Sequence, residues 1–381
     1  MSMKITGVEA IILESPKDYG VDAHEAAGPR YRSLLRVSTD AGIDGWAEIE
    51  TQPHVLKAVI EAPGDGSGLF DGIGKLVVGE DPFAMDRLWD KLFTGTIYFG
   101  RRGVVLQAIS GIDIACYDIM GKALNVPIHA LLGGARREKV PAYASTLFRE
   151  TPDAMRAAAE RYLECGFIAV KFGWGGFGKD LRRDVKLVSA ARQALGKDHV
   201  LMIDAGWIYP RSIKETIALV RAMEPFDPFW IEEPCHPEEY GAYRSVAEAT
   251  PIRIAAGEQE ATVWGFDRLI REGAVDVVQP DLSRCGGFTV ARKILTLAQL
   301  AGCAVCPHAW QSDLLTAASL HLNAVLPQVL FQEYNVCDDP ISRSLCTRPL
   351  RLEAGSLAVP QGPGLGVEIN LEIMNRYRVK I

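Results

Sequence analysis

The chain from about residue 140 onward alternates short apolar runs with amphipathic segments. The amphipathic segments have helical periodicity, as in DAMRAAAERYLECG, RSIKETIALVRAME and FTVARKILTLAQLAG. Several begin near Pro, Ser or Asp and end at Gly, which are typical helix boundaries. The apolar runs predict strands at residues 140–144, 168–172, 200–204, 230–233, 252–257, 275–279, 304–307 and 329–333. Eight strands alternating with helices predict an α/β fold of the (β/α)8 TIM-barrel type.

The first 130 residues have a different pattern, with strands first and helices afterwards. Strands are predicted at residues 4–13, 33–39 and 44–49, with a hairpin turn in DAGIDG, and helices at residues 54–62, 85–92 and 104–123. This order favours an α+β domain. We therefore expect an N-terminal α+β domain at residues 1–130 and a barrel at residues 131–341. A Gly/Pro-rich segment at residues 342–381 is expected to return to the N-terminal domain.

Ionisable residues follow five successive apolar runs of the predicted barrel: LMIDAG, WIEEP, IAAGE, VDVVQPD and CAVCPH. The residues are Asp204, Glu232, Glu258, Asp281 and His308. The carboxyl ends of barrel strands are where such enzymes carry their catalytic groups. Three neighbouring carboxylates without a basic partner would repel one another, so they predict a site for a hard cation, Mg²⁺ best. The alternative is three unrelated polar strand caps.

Glu233 adjoins Glu232, and strand alternation points the two side chains in opposite directions. The sequence alone leaves open which of them enters the barrel mouth. Asp281 and His308 follow the next two strands. A carboxylate beside an imidazole fixes its tautomer and raises its basicity, which predicts a general base.

Two further residues of the predicted barrel are candidates for chemistry. Lys171 ends the second strand, and a lysine inside a barrel is costly unless it is paired or used. Beside a bound anion it would stabilise charge or transfer a proton. Glu333, in the eighth strand, could hydrogen-bond a substrate oxygen or could equally be a strand cap.

Composition narrows the classes of function. The 381 residues include 48% hydrophobic and 23% charged residues, and the net charge is −7. This charge argues against a nucleic-acid partner and means that an anionic substrate must be attracted locally. No signal peptide is expected, no apolar run is expected to reach the length of a membrane span, and the chain is expected to be cytoplasmic. Cys303 and Cys306 form a C-x-x-C but are expected to be core residues, because no second pair completes a zinc site.

The ordered set of motifs resembles the mandelate racemase branch of the enolase superfamily. The set is ISGIDIACYDIMGKALNVPIHALLGG, Asp204, IEEP, AAGE, QPDLSRCGG and PHAW, and it spans nearly the whole chain. The resemblance implies a capping α+β domain, a modified barrel that binds one Mg²⁺, and Glu232 rather than Glu233 as the ligand. It also implies abstraction of the proton α to a carboxylate with stabilisation of an enediolate on the metal. It places the His–Asp dyad on His308 and Asp281 and a substrate-binding Glu on Glu333.

Two positions depart from this family's usual pattern. Many members have Lys-x-Lys on the second strand, where this chain has Lys171 and Gly173, and many have Asn where it has Gly206. Racemisation needs an acid/base group on each face of the intermediate, which is incomplete here unless Lys171 substitutes. One histidine can remove the α-proton and then protonate a β-hydroxyl that leaves on the same face. The leading prediction is therefore a Mg²⁺-dependent dehydratase of aldonates or aldarates that forms a 2-keto-3-deoxy acid.

Rival predictions are an isomerase that uses the same proton abstraction (a racemase, an epimerase or a cycloisomerase of a lactone or anhydro sugar acid) and an inactive barrel that binds a sugar acid. The long polar loop SPKDYGVDAHEAAGPRY could be a lid. Candidate substrate-binding residues are His24, Arg30, Trp207 and Trp310, with Arg32 as an alternative to Arg30 and Trp174 as a further aromatic group. The arginines could hold a distal carboxylate or face water. The resemblance implies a homo-oligomer, and no membrane partner is expected.

Overall fold

An antiparallel three-stranded sheet begins the fold. The structure, a computed structural model, describes residues 3–16, 30–64, 69–175, 177, 180–207, 212–337 and 339–380. The sheet consists of β1 (Ile5–Glu14), β2 (Tyr31–Thr39) and β3 (Asp44–Ile49), in that order. The helices that follow are α1 (Pro53–Glu61), α2 (Ile73–Val77), α3 (Met85–Gly95), α4 (Val104–Leu124) and α5 (Ile128–Leu131). The predicted order of strands and then helices is confirmed.

Helix α4 is the core of this N-terminal domain. It is long and apolar enough to cross a membrane by length and composition, with a mean hydropathy of 1.4 over its most apolar window. The expectation that no run reaches this length is therefore wrong. However, 89% of that window is buried inside the protein, where the helix packs on β2 and β3. The helix ends at Asn125, whose left-handed backbone forms the C-cap.

Eight parallel strands form the barrel, as predicted. They are β4 (Lys139–Leu147), β5 (Ala169–Gly173), β6 (Val200–Asp204), β7 (Trp230–Glu232), β8 (Arg253–Ala256), β9 (Val277–Val278), β10 (Ala304–Val305) and β11 (Gln332–Asn335). The strands pair in the order β11-β4-β5-β6-β7-β8-β9-β10. The barrel helices are α6 (Pro152–Glu164), α7 (Leu181–Leu195), α8 (Ile213–Met223), α9 (Tyr240–Ala247), α10 (Thr262–Gly273), α11 (Gly287–Ala301) and α12 (Asp313–Val325).

The two domains meet at the N-terminus of α11. This helix begins after Gly286, which supplies no capping side chain. Two residues of α4 replace the cap: Ser110 Oγ accepts a hydrogen bond from the Gly286 N–H (2.9 Å), and Asp113 Oδ1 accepts one from the Thr289 N–H (3.2 Å). The N-terminal domain thereby fixes the start of α11 and the preceding loop, which carries Asp281.

The C-terminal segment contacts both domains. It contains β12 (Leu352–Glu353), β13 (Ser356–Ala358) and α13 (Leu371–Tyr377). Strand β13 pairs antiparallel with β4 of the barrel, a pairing that the sequence pattern did not predict. Further along, the backbone of Gly364 bonds to Val126 and Ile128 beside the end of α4, and Arg378 pairs with Glu9 of β1. The expected contact with the N-terminal domain is therefore present.

Candidate active site

A layer of buried, mostly apolar side chains fills the interior of the barrel. Seven strands each contribute one buried residue: Tyr143, Ala169, Met202, Trp230, Ala255, Val277 and Cys306. Because side chains alternate along a strand, the residue two positions later also points inward, closer to the carboxyl end. Those positions hold Ser145, Lys171, Asp204, Glu232, Gly257, Gln279 and His308. The polar site therefore lies directly above an apolar floor.

The carboxylates of Asp204, Glu232 and Glu258 converge in this layer. Each offers an oxygen, and the three oxygens lie within 4.8 Å of one another. Glu258 reaches the group by a different route, because the inward position of its strand is Gly257. Gly257 has φ +134°, and a Cβ there would lie 3.0 Å from the Gln279 nitrogen, so the position requires glycine. The side chain of the next residue, Glu258, is then directed into the site.

All three carboxylates are nearly or fully buried. Burial and the charges of neighbouring carboxylates raise the pKa of Asp204 well above its ordinary value and also raise the pKa of Glu232. A buried, all-oxygen donor set of this kind fits a hard divalent cation, which would offset the mutual repulsion.

A buried lysine pairs with this acidic group. The Lys171 ammonium lies 2.6 Å from Glu232 Oε1, 3.0 Å from Glu333 Oε1 and 3.9 Å from Asp204 Oδ2. The assumption that the carboxylates lack a basic partner was therefore wrong, because a residue two strands from Glu232 reaches across the interior. Burial lowers the pKa of Lys171, but the charges of Glu232 and Glu333 outweigh it and hold the pKa well above its ordinary value. Lys171 is thus a fixed positive charge in this arrangement.

Glu333 lies in the site and is not a surface strand cap. Its two oxygens accept hydrogen bonds from Ser145 Oγ and from the Ala309 N–H, both at 2.7 Å. Burial opposes its charge, but Lys171 and His308 lower the pKa of Glu333 to about 2. This carboxylate is therefore ionised at neutral pH and oriented towards the cavity wall beside Lys171.

His308 and Asp281 form a short hydrogen bond. His308 Nδ1 lies 2.6 Å from Asp281 Oδ2, and Asp281 Oδ1 accepts bonds from the N–H and hydroxyl of Ser283, both at 2.6 Å. Nε2 of His308 is directed at the acidic group, 3.3 Å from Glu258 Oε2. Burial lowers the pKa of His308, but Glu258, Glu333 and Asp281 raise it well above its ordinary value.

Glu233 is buried apart from the three converging oxygens. Its φ of 43° is a left-handed conformation, unusual for this residue type, and one of its carboxylate oxygens has no hydrogen-bond partner among the described residues. Burial and the nearby charges of Glu258 and Asp204 raise the pKa of Glu233 well above its ordinary value. Glu232, by contrast, accepts bonds from Trp230 Nε1 (3.1 Å) and Gln279 Nε2 (2.8 Å), which orient it into the interior.

The two departures from the family's usual pattern have local steric reasons. Gly173 pairs with Asp204 in the parallel ladder, and a Cβ at residue 173 would lie 2.7 Å from both the Cβ and Oδ2 of Asp204. Gly206 has φ +54°, and a Cβ there would lie 2.6 Å from the Trp174 ring. The Trp174 indole thus occupies the space that a larger residue 206 would need.

A cavity of about 390 Å³ opens beside these groups. Trp310 and Trp174 line it, whereas Trp207 is 39% exposed and packs edge-on against Trp174. The structure does not bring Arg30 to the cavity, because its guanidinium pairs with Glu14 (2.5 Å). His24 lies outside the described residues, as do residues 17–29 of the predicted lid.

Arg32 has a structural role that neither of its predicted alternatives included. It is fully buried and bonds to Glu48, Asp339, Gln311 and Ser342, so it neither faces water nor has donors left for a ligand.

The two cysteines of the C-x-x-C pattern were expected to be core residues. Cys306 is buried, and Cys303 is partly buried with its thiol directed at the Val275 carbonyl.

Sequence reasoning missed two charged residues of the site. Glu50 follows β3 of the N-terminal domain, and Arg284 lies in the loop after β9. They pair at 2.7 Å, and Glu50 Oε2 lies 3.9 Å from His308 Nδ1. A carboxylate directly after a strand was a visible signal in WAEIE. Nothing in the pattern indicated that this strand end would face the barrel mouth.

Comparison with known proteins agrees with this architecture. Residues 23–133 match the family described as mandelate racemase / muconate lactonizing enzyme, N-terminal domain, and residues 154–373 match the one described as enolase C-terminal domain-like. The chain is 35% identical to a D-galactarolactone cycloisomerase of Agrobacterium fabrum, over 99% of both chains. It is 31% identical to a D-galactonate dehydratase of Xanthomonas campestris, over 92% of this chain and 91% of the relative.

A solved structure is similarly close. The crystal structure of the 3,6-anhydro-D-galactonate cycloisomerase from Zobellia galactanivorans superposes with a TM-score of 0.87 at 31% sequence identity. The match covers 99% of this chain and all of the other. The relatives in these comparisons thus include both dehydratases and cycloisomerases of sugar acids.

Proposed function

Because this chain belongs to the mandelate racemase / muconate lactonizing enzyme family of the enolase superfamily, we propose that it is a Mg²⁺-dependent dehydratase of a sugar acid. One observation carries the proposal. The His308–Asp281 pair lies beside three converging carboxylates. The position beside Asp204, where many family members carry a second lysine, is Gly173, which has no side chain. A single acid/base group suits elimination better than racemisation, which needs one group on each face.

The metal ligands proposed are Asp204, Glu232 and Glu258. Their oxygens fit a hard cation by chemistry, burial and separation. When bound there, Mg²⁺ would supply positive charge to the substrate carboxylate and so acidify the adjacent carbon. Lys171 is the positive charge that the chain itself adds. It lies within hydrogen-bond distance of Glu333, so Lys171 is placed to bind an oxygen of the substrate carboxylate, while the ionised Glu333 can accept a hydrogen bond from a substrate hydroxyl.

His308 is proposed to move the proton. Its Nε2 faces the acidic group, and its Nδ1 is held by Asp281, which fixes the ring's orientation. The carboxylates around His308 raise its pKa above the ordinary value, and a cation held by Glu258 would offset part of this effect. Nε2 then removes the α-proton, the β C–O bond breaks, and the same proton goes to the departing hydroxyl, which leaves as water. The enol product tautomerises to a 2-keto-3-deoxy acid.

A cycloisomerase is the second candidate, favoured by the 35% identical relative from Agrobacterium fabrum and the structural neighbour from Zobellia galactanivorans. The first step is the same. If the β-oxygen belongs to a ring, its departure opens the ring and no water is lost, so the product is an isomer of the substrate. The nature of the leaving oxygen thus separates a lyase from an isomerase at an unchanged site.

Product analysis distinguishes the two. The Mg²⁺-loaded protein is incubated with hexonates, hexarates, their lactones and anhydro acids, and the products are examined by mass spectrometry and NMR. Dehydration predicts a product lighter by one water with a 2-keto-3-deoxy spectrum. A product of unchanged mass with an opened ring would favour the cycloisomerase. Binding of Mg²⁺ and a sugar acid with no turnover across the set would instead support the inactive-barrel alternative.

A further inference from the structure

A second cavity continues the first towards the N-terminal domain. The cavity beside the catalytic groups has a volume of about 390 Å³, and its neighbour has about 410 Å³. Both are lined by Glu50, Gln259 and Arg284, which form the junction between them. A substrate whose carboxylate lies beside Lys171 and Glu258 can therefore extend its remaining carbons past Glu50 into the second cavity.

Glu50 presents an unused hydrogen-bond acceptor at this junction. Its Oε1 forms an ion pair with Arg284 (2.7 Å), and its backbone N–H donates to Ser283 Oγ (3.2 Å), so its position is fixed by the loop that carries Asp281. Its Oε2 is buried and has no hydrogen-bond partner among the described residues. His308 Nδ1 is 3.9 Å away and already bonded to Asp281. A buried acceptor left unpaired is costly, so a ligand hydroxyl that satisfies it gains affinity.

The lining of the second cavity suits a hydroxylated chain. It contains uncharged hydrogen-bonding side chains, namely Tyr31, Thr51, Gln52, Gln107, Gln259 and Gln311. Among the described residues that line either cavity, the lysines and arginines are Lys171 and Arg284. Lys171 is paired with Glu232 and Glu333, and Arg284 is paired with Glu50. A second carboxylate in this region would meet Glu50 and no unpaired cation of these residues.

We propose that Glu50 determines specificity by accepting a hydrogen bond from a substrate hydroxyl beyond the reacting carbons and by repelling a second carboxylate. The substrate is therefore a monocarboxylate, meaning an aldonate, a monolactone or an anhydro acid, and not a free aldarate. This inference rests on the proposed function, because it places the first carboxylate at the metal site. Burial raises the pKa of Glu50 while Arg284 opposes this, so the discrimination is measured at several pH values.

The test compares aldonates with aldarates of the same configuration across the hexose series, with Mg²⁺ present. The wild-type protein is expected to prefer the monoacid by about 100-fold or more in kcat/KM, because like charges brought together in a binding site cost several kcal/mol. Glu50→Gln keeps an amide oxygen for Arg284 but removes the charge. It is expected to reduce this preference about tenfold, mainly through a lower KM for the aldarate, because the repulsion is removed. Glu50→Asp keeps the charge and is expected to retain the preference for the aldonate. Glu61→Gln, on the exposed face of α1, is the matched control and should behave as the wild type does.

Two results would overturn the inference. Equal or better use of aldarates by the wild-type protein contradicts the exclusion of a second carboxylate, and this result does not depend on any variant folding. An unchanged preference in Glu50→Gln, with Mg²⁺ affinity intact by calorimetry, would mean that Glu50 serves only to hold Arg284. Failure of the proposed function looks different: no aldonate, aldarate, monolactone or anhydro acid would bind to the Mg²⁺-loaded protein or exchange its α-proton.

Discussion

The absence of a side chain at residue 173 leaves room for Asp204, the proposed metal ligand on the neighbouring strand. Gly173 lies beside Asp204, and an added Cβ would lie 2.7 Å from the Asp204 carboxylate. The three nearest atoms all belong to the Asp204 side chain, so the strain falls on this proposed ligand. Gly173→Ala is therefore expected to weaken Mg²⁺ binding by about tenfold or more, measured by calorimetry. Gly241→Ala, where a Cβ meets nothing within 4 Å, should bind Mg²⁺ as the wild type does. Unchanged affinity in Gly173→Ala would contradict this account.

A second prediction at the residue scale concerns the contribution of Lys171 to stability. It holds two buried carboxylates, so Lys171→Met leaves Glu232 and Glu333 with uncompensated charge. Removing one partner of a buried ion pair costs roughly 3–5 kcal/mol of unfolding free energy, whereas an exposed pair contributes about 0–1 kcal/mol. Urea denaturation without metal should show this large loss for Lys171→Met and little change for Lys57→Met, which breaks a surface pair on α1. Similar losses of unfolding free energy in the two variants would contradict the expectation that the buried pairs stabilise the protein more than the surface pair does.

Residue-scale predictions from the sequence succeeded where strand alternation decides direction. Asp204, Glu232 and His308 each lie two positions after a buried floor residue, so their convergence follows from the period of the strand. Glu258 breaks that period and enters only because Gly257 adopts φ +134°. The pairing of Lys171 with Glu232 and Glu333 depends on distances across the barrel interior, and no pattern along the chain encodes these. The role of Arg32 was missed for the same reason.

At the scale of elements, the junction of α4 and α11 is sensitive to pH. Asp113 helps to cap α11, and its second oxygen has no hydrogen-bond partner among the described residues. Burial raises the pKa of Asp113 from 3.8 to about 7. Between pH 4 and pH 7 the folded state therefore holds a proton that the unfolded state has lost, so this group's contribution to stability falls as the pH rises through that window.

Asp113→Asn should remove this dependence, because asparagine keeps an acceptor for the Thr289 N–H and does not ionise. Relative to the wild type, the variant is expected to gain up to about 3 kcal/mol of unfolding free energy between pH 5 and pH 8. Urea denaturation at both pH values measures the change, with Asp267→Asn in a surface pair on α10 as the control. A difference between variant and wild type that is the same at both pH values would contradict the assignment.

Element boundaries were predictable to within a few residues where propensity and pattern agree. Strand β3 and the start of α4 match the predicted residues, whereas β9 and β10 are shorter than predicted. The ladder between β9 and β10 pairs only two residues of each strand, because the chain beyond them turns towards the site. The antiparallel pairing of β13 with β4 was not predictable, since three residues in a Gly/Pro-rich tail carry no signal for their partner.

At the scale of the whole molecule, the site is completed by contacts between domains. Glu50 from the N-terminal domain joins Arg284 of the barrel, and Glu48 meets Arg32 and Ser312 nearby. The sequence predicted a barrel preceded by an α+β domain, and it predicted ionisable residues at the strand ends, but it did not predict which loop of one domain faces the other. That arrangement depends on surfaces far apart in the chain. Through Glu50, the N-terminal domain is thus proposed to influence substrate choice without supplying the proposed metal ligands.

The central claim is that His308 removes the α-proton of a sugar acid whose carboxylate lies beside Asp204, Glu232 and Glu258. Proton NMR in D₂O with Mg²⁺, on a panel of aldonates, aldarates, lactones and anhydro acids, tests it most directly. The wild-type protein should replace or eliminate the α-proton of at least one compound, and His308→Asn should slow this by about a thousandfold or more while still binding Mg²⁺. Equal rates for the two proteins, or no loss of any α-proton by a wild-type protein that binds Mg²⁺, would contradict the account.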